Sequence, residues 1–298
     1  MSSNPLFHGS IPALVTPFRN GAVDRKAFAD LVERQIAGGS AALVPVGTTG
    51  ETSTLSTEEH KDVVRLCVEV AAGRVPVIAG AGSNATEEAI DLVRHAKAVG
   101  ADAALVVCPY YNKPNQDGLF AHFKAINDAV ALPVFLYNVP GRTIVDLMPP
   151  TVAALAALPN VLGIKDASDE MERVALHNHL IAPGTQFIQL SGEDSSALAH
   201  RAMGGAGCIS VTANVLPEAC AAMHAAFEDG DLESARAINE RLVLLHRAMF
   251  CSPSPGPAKY ALSRLGLCKD EVRLPITPPD AAARAQIDAA LSLAGVNV

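Results

Sequence analysis

The chain has 298 residues, enough for one large domain or two ordinary ones, and it is 49% hydrophobic and 18% charged. A net charge of −8, with no basic run and no aromatic platform, argues against a nucleic-acid partner. No stretch approaches the roughly 18 uninterrupted apolar residues of a membrane span, and Met1–Ser10 lacks a charged segment leading into an apolar one, so a cytoplasmic protein with no membrane partner is expected.

Aromatic residues make up 4% of the chain and Trp is absent, so small and branched aliphatic side chains must fill the core. Cys67, Cys108, Cys208, Cys220, Cys251 and Cys268 form no Cys-x-x-Cys pair and read as small buried hydrophobes in a reducing compartment. The histidines show no ligand spacing, since His177 and His179 point apart on a helix; no metal site and no cofactor is expected.

In chain order, apolar runs at Ile11–Val15, Ala42–Val46, Val75–Ala79, Ala103–Val107, Val134–Val139, Val161–Lys165, Phe187–Leu190 and Cys208–Val211 read as strands. Each precedes a helix-like stretch, and continuous rather than alternating hydrophobicity indicates a parallel sheet covered by helices. Eight such units predict a (β/α)8 TIM barrel; a doubly wound sheet is the competitor, and the even spacing favours closure. Thr57-Glu58-Glu59 and Thr86-Glu87-Glu88 each offer a capping hydroxyl with acids in the first turn, opening helices to about Ala72 and Val99, with Gly73 and Gly100 as stops. Helices are also expected over Leu216–Asp229, Leu232–Phe250, Pro257–Leu265 and Asp280–Leu293. The expected organisation is a barrel over 1–230 and a three-helix appendage over 231–298, packed on the barrel and containing the segment Cys251–Pro257.

Val161-Leu-Gly-Ile-Lys165-Asp-Ala167 is a short strand with a lysine near its end, whereas the other lysines fall in helix-like or polar segments. Alternation places Gly163 and Lys165 on one face and Leu162 and Ile164 on the other, so the glycine is expected to leave space below the lysine. Loss of hydration there would push the amine pKa down and favour a nucleophile. The other polar oddities sit at strand ends too: Gly47-Thr48-Thr49-Gly50-Glu51, Pro109-Tyr110-Tyr111-Asn112, Tyr137-Asn-Val-Pro-Gly-Arg142-Thr143, Ser191-Gly192-Glu193-Asp194 and Ser210-Val-Thr-Ala-Asn214. In a barrel of this kind these segments share one mouth.

An amine surrounded by Thr and Tyr hydroxyls suits Schiff-base formation with a carbonyl compound, with tyrosine relaying protons. The turn at Gly47–Gly50 can hold a carboxylate, and Arg142 a second one. That turn lacks the Lys-Ser/Thr ending of a P-loop, and Ile78-Ala-Gly80-Ala-Gly82 has no third glycine at Ala85, so neither reads as a nucleotide site. Tyr110 and Tyr111 also fit a plain packing role at the rim.

In order and spacing, Gly47-Thr-Thr-Gly-Glu51, Tyr137-x4-Arg142 and Gly163-Ile-Lys165-Asp-Ala resemble the signatures of the dihydrodipicolinate synthase / N-acetylneuraminate lyase family, and the likeness runs from about Phe7 to the last helix. The arginine is more characteristic of the family's synthases than of its sugar-acid lyases. The resemblance implies condensation of pyruvate with aspartate 4-semialdehyde on the route to diaminopimelate and lysine. Lys165 would form the imine and Tyr137 would move protons. Thr48 and Tyr111 would complete a relay, Tyr111 arriving from a neighbouring subunit. Thr49, Arg142, Gly192 and Ile209 would bind substrate, Ile209 through its carbonyl. A homotetramer built as a dimer of dimers is implied. So is feedback by lysine at Thr52, Ser53, Thr57, His60, Asn84, Glu88 and Tyr110, although Thr57 stands where inhibited enterobacterial-type members carry histidine. Ser252–Lys259 departs from the family's Asn-Pro-Ile-Pro-x-Lys and is expected to lie outside the chemistry; Asp169 replaces a common glycine. The competing readings are a sugar-acid lyase of the same family and a catalytically silent keto-acid-binding barrel.

Overall fold

Apolar side chains on every strand drive the sheet to curl around itself, and the computed structural model describes the result over residues 7–296. The reading made over Met1–Ser10 therefore lies largely outside the described residues. The strands are β1 (Gly9–Pro12), β2 (Phe18–Arg19), β3 (Ala22–Val23), β4 (Ile78–Gly80), β5 (Ala103–Val107), β6 (Val134–Asn138), β7 (Val161–Asp166), β8 (Ile188–Ser191) and β9 (Gly207–Ser210). One sheet runs β1-β9-β8-β7-β6-β5-β4, with every pairing parallel.

The expected strand Ala42–Val46 closes the ring without forming a full ladder. It bridges the residue after β1 through Ala13 and Val44, and the residue before β4 through Leu43 and Val77. Val44 N–H donates to Pro12 O at 3.0 Å and Ile78 N–H to Leu43 O at 2.8 Å. Pro45 has no N–H to extend the ladder, and Val46 turns away at φ +48°. Pro76 likewise delays the third stave, expected from Val75, until Ile78. The barrel is an eight-stave α/β fold.

Two expectations about the Lys165 strand need correction. Val134 pairs with Val161 but Phe135 pairs with Gly163, a one-residue slip that inserts Leu162 as a bulge. Leu162 consequently packs on the inner cluster and Ile164 in the outer one, on opposite sides. Nor is the space at Gly163 empty. A Cβ there would lie 2.1 Å from Ile188 O and 2.9 Å from the Phe135 ring, so the glycine admits its neighbours rather than a void.

The core has two shells. Ile11, Val44, Ile78, Leu105, Phe135, Leu190 and Ile209 fill the barrel axis. Phe135 is wholly buried and meets Phe7 edge-on at 5.3 Å, so cutting it to Ala should cost about 3–5 kcal/mol. Val106, Leu136 and Ile164 face outward to the helices.

The helices at Thr57–Ala71 and Thr86–Ala98 stand where expected, but their caps do not. Ser56, not Thr57, forms the capping box with Glu59. Thr86 lies inside its helix and meets His122 Nδ1 at 3.0 Å.

After the helix Pro217–Glu228 come Leu232–Ala248, Gly256–Arg264 and Ala281–Leu293. Their apolar faces share a cluster with Val15, Leu31, Val211 and Cys220, so these helices pack directly on the barrel. Among the described residues, no helix is long and apolar enough to cross a membrane.

Candidate active site

Register brings the central pair together. Tyr137 on β6 is the partner of Lys165 on β7, so both side chains leave the sheet on its inner face. Lys165 Nζ stands 4.3 Å from the centre of the Tyr137 ring, and both residues are 6% exposed. No carboxylate pairs with Lys165 among the described residues. Gly192 makes room for the lysine stem: a Cβ there would lie 3.1 Å from Lys165 Cε and 2.7 Å from Ala167 Cβ.

This pair opens into a cavity of about 370 Å³ at the C-terminal ends of the strands. Thr48 and Thr49 reach it from a single 3₁₀ turn, Thr48–Gly50, that the second stave ends in. Thr16 Oγ1 pins that turn by donating to Gly50 O at 2.7 Å. The Thr48 and Thr49 hydroxyls enter no hydrogen bond among the described residues and are available to a ligand.

Arg142 lines the mouth from an exposed position after β6. Its loop is tied down from below. Asn138 Oδ1 accepts from Leu147 N–H at 3.0 Å, and Asn138 Nδ2 donates to Asp146 Oδ1 at 2.8 Å. Arg173 grips both Asp146 oxygens, at 2.8 and 2.5 Å. Burial works against the Asp146 charge, but Arg173 and Asn138 outweigh it and hold the carboxyl below its ordinary pKa.

The far wall is Glu193 after β8 and Val211 after β9. Asp194, 4% exposed, fixes that corner by accepting from Ser210 Oγ, from Val211 N–H at 2.8 Å and from Thr212 N–H at 3.2 Å.

Most of the expected residues meet here: Thr48, Thr49, Tyr137, Arg142, Lys165 and Gly192 all line the cavity. Two do not. Ile209 sits in the inner cluster at 1% exposure, and Val211 takes its place on the wall. Tyr111 is 93% exposed, adopts φ +73°, and lies outside the cavity of its own chain. Three residues were missed or misjudged. Phe250 and Ser254 come from the appendage to line the cavity, so the Ser252–Lys259 segment is not remote from the site. Asp169 lines the mouth at φ +64°, the left-handed backbone that explains why glycine is common there and that Asp tolerates better than most residues.

The match to known proteins decides the family: the model of the dihydrodipicolinate synthetase family covers residues 6–294. The chain belongs to that family. Among its relatives, the 4-hydroxy-tetrahydrodipicolinate synthase of Hyphomonas neptunium is 80% identical over 292 residues, spanning 98% of this chain and 100% of that one. The chloride-inhibited dihydrodipicolinate synthase from Acinetobacter baumannii, solved in complex with pyruvate, superposes with a TM-score of 0.94 at 46% identity, covering 97% of this chain and 99% of that one. The enzyme from Cyanidioschyzon merolae with lysine bound gives 0.94 at 38% identity, covering 98% and 99%.

A second cavity, of about 150 Å³, lies outside the barrel mouth of this dihydrodipicolinate synthetase family member. Thr52, Ser53, Thr57, His60, Glu88 and Tyr110 line it, and Asn84 Nδ2 adjoins it by donating to Tyr110 O at 3.0 Å. Burial pushes the His60 pKa down to about 4, so its ring is neutral here at pH 7.

Proposed function

We propose that this chain condenses pyruvate with L-aspartate 4-semialdehyde to 4-hydroxy-tetrahydrodipicolinate, through an imine on Lys165. The observation that carries the reading is a buried lysine without a carboxylate partner, in register with a tyrosine, at the floor of a cavity. An unpaired amine is free to attack the pyruvate carbonyl, and loss of water then gives the imine. Tyr137 stands beside the nitrogen to deliver and remove protons as carbinolamine, imine and enamine interconvert. Thr49, with Thr48 alongside, takes the pyruvate carboxylate. The enamine carbon adds to the aldehyde of the second substrate, and the acceptor's own amine then displaces Lys165 and closes the ring. Arg142 holds the acceptor carboxylate at the mouth, which favours the semialdehyde over the polyol chains of sugar acids.

Borohydride reduction with pyruvate should add the reduced pyruvate mass at Lys165 and nowhere else; Lys165→Ala should take no label. Parallel assays with aspartate semialdehyde, N-acetylneuraminate and 2-keto-3-deoxygluconate test the acceptor. Turnover of a sugar acid in place of the semialdehyde would move the chain to the lyases. A protein that neither traps pyruvate nor turns over would be a silent barrel.

The assembly would be a homotetramer, and Tyr111 supports contact with a neighbouring copy: it is 93% exposed and lines no part of its own chain's cavity. Light scattering gives the mass. The second cavity fits an amino acid with one amine for Glu88 and a second polar end for Asn84 and Tyr110, consistent with lysine as a feedback inhibitor. Unchanged activity across rising lysine would reject that role.

A further inference from the structure

Lys259 is fully buried, at 0% exposure, yet it lines no part of either cavity. Its Nζ is ion-paired with Glu51 Oε1 and donates to Glu271 O at 2.9 Å. Glu51 directly follows the Thr48–Gly50 turn, is 4% exposed, and holds a left-handed backbone at φ +56°. Its other oxygen accepts the Arg273 N–H at 3.0 Å. Arg273 in turn donates to Thr54 O at 2.9 Å and to both Glu59 oxygens at 2.6 Å. Phe18 meets both cations, its ring centre 3.9 Å from Lys259 Nζ and 4.3 Å from the Arg273 guanidinium. Segment 51–59 is thus gripped at both ends by the appendage.

We propose that Lys259, through Glu51, together with Arg273, positions the Thr48–Gly50 turn to receive the carboxylate of the keto acid. These are positioning residues, since none of the three lines the cavity. The inference rests on Thr49 being the carboxylate contact. Cohesion alone does not account for the pair, because a buried ion pair replaced by apolar groups of similar shape often leaves a fold as stable or more so. What an apolar pair cannot do is fix direction: Glu51 holds the Lys259 ammonium with one oxygen and the Arg273 N–H with the other, and so sets the backbone one residue from Gly50.

The test titrates pyruvate against borohydride trapping in the intact protein. Wild type comes first, since failure there would sink the imine reading itself rather than this one. The double variant Glu51→Gln/Lys259→Met removes both charges and leaves none stranded. Its half-saturating pyruvate should rise about tenfold, with complete trapping still reached at saturation. Arg273→Gln, at a partly exposed site, should raise it severalfold and decides the matter if the double variant does not fold. Half-saturation unchanged in a folded variant overturns the proposal. So does a lower plateau with unchanged half-saturation, which is what general loosening would give.

Discussion

Two lysines of this chain have given up their water, and they have done so in opposite ways. Lys259 is buried at 0% exposure against Glu51, a backbone carbonyl and the face of Phe18. Lys165 is buried at 6% against a tyrosine ring, with no carboxylate beside it among the described residues. A paired ammonium of this kind serves geometry, even though burial pushes the Lys259 pKa down against the pull of Glu51. An amine without a counter-charge has reason to react with a carbonyl, because the imine relieves its lack of partners. Burial alone therefore does not mark a nucleophile; the missing counter-ion does.

The same substitution at both sites should separate the two roles. Lys165→Met should abolish turnover and pyruvate trapping while leaving the melting temperature near wild type, since no partner charge is stranded. Lys259→Met strands Glu51 and should cost about 3–5 kcal/mol in denaturant melts. Equal loss of stability at both positions would erase the contrast.

Next in size, Tyr137→Phe removes only the hydroxyl and keeps the ring that meets Lys165, and should lower kcat by about 10²–10⁴-fold with the fold intact by circular dichroism. Arg142→Ala removes a charged hydrogen bond to the acceptor worth about 1.5–3 kcal/mol, so the semialdehyde KM should rise roughly 10- to 100-fold while that for pyruvate holds. A loss confined to pyruvate would contradict the assignment of Arg142 to the mouth.

A last prediction concerns pH and the buried histidines. Burial first of all pushes His60, His122 and His200 down to about 4, and His224 to about 3. The unfolded chain takes up these protons near pH 6.5, and the folded one refuses them. Their contribution to stability is complete above about 6.5 and shrinks as pH falls toward 4. The melting temperature should fall between pH 7 and pH 5; a flat profile would mean that these rings are charged in place.

Chain order and residue chemistry made much of this readable in advance. Lys165, Tyr137 and Thr49 announce themselves because each is a polar residue at the end of an apolar run, and strand ends converge. Helix ends at Ala71 and Ala98 follow from glycine stops two residues on, at Gly73 and Gly100. What stayed hidden depends on contacts between distant segments. Lys259 reads as an ordinary helix lysine, and only the packing of Glu51 and Phe18 shows it to be buried. Phe250 and Ser254 reach the cavity across the appendage, and nothing near them in sequence points that way. The bulge at Leu162 comes from a register slip between β6 and β7, a property of two strands that neither spells alone. Asn20-Gly21, by contrast, was a visible turn signal: both residues take positive φ and join β2 to β3, the hairpin that presents Phe18.

The appendage also sets a clock. A chain made from its N-terminus has all eight staves once Ser210 has emerged, yet the cavity still lacks Phe250 and Ser254, and the turn carrying Thr49 still lacks Lys259 and Arg273. On the proposed roles, a nascent barrel on the ribosome would hold the Lys165 amine before it holds a finished pocket, and competence toward keto acids would arrive only as the last helices dock.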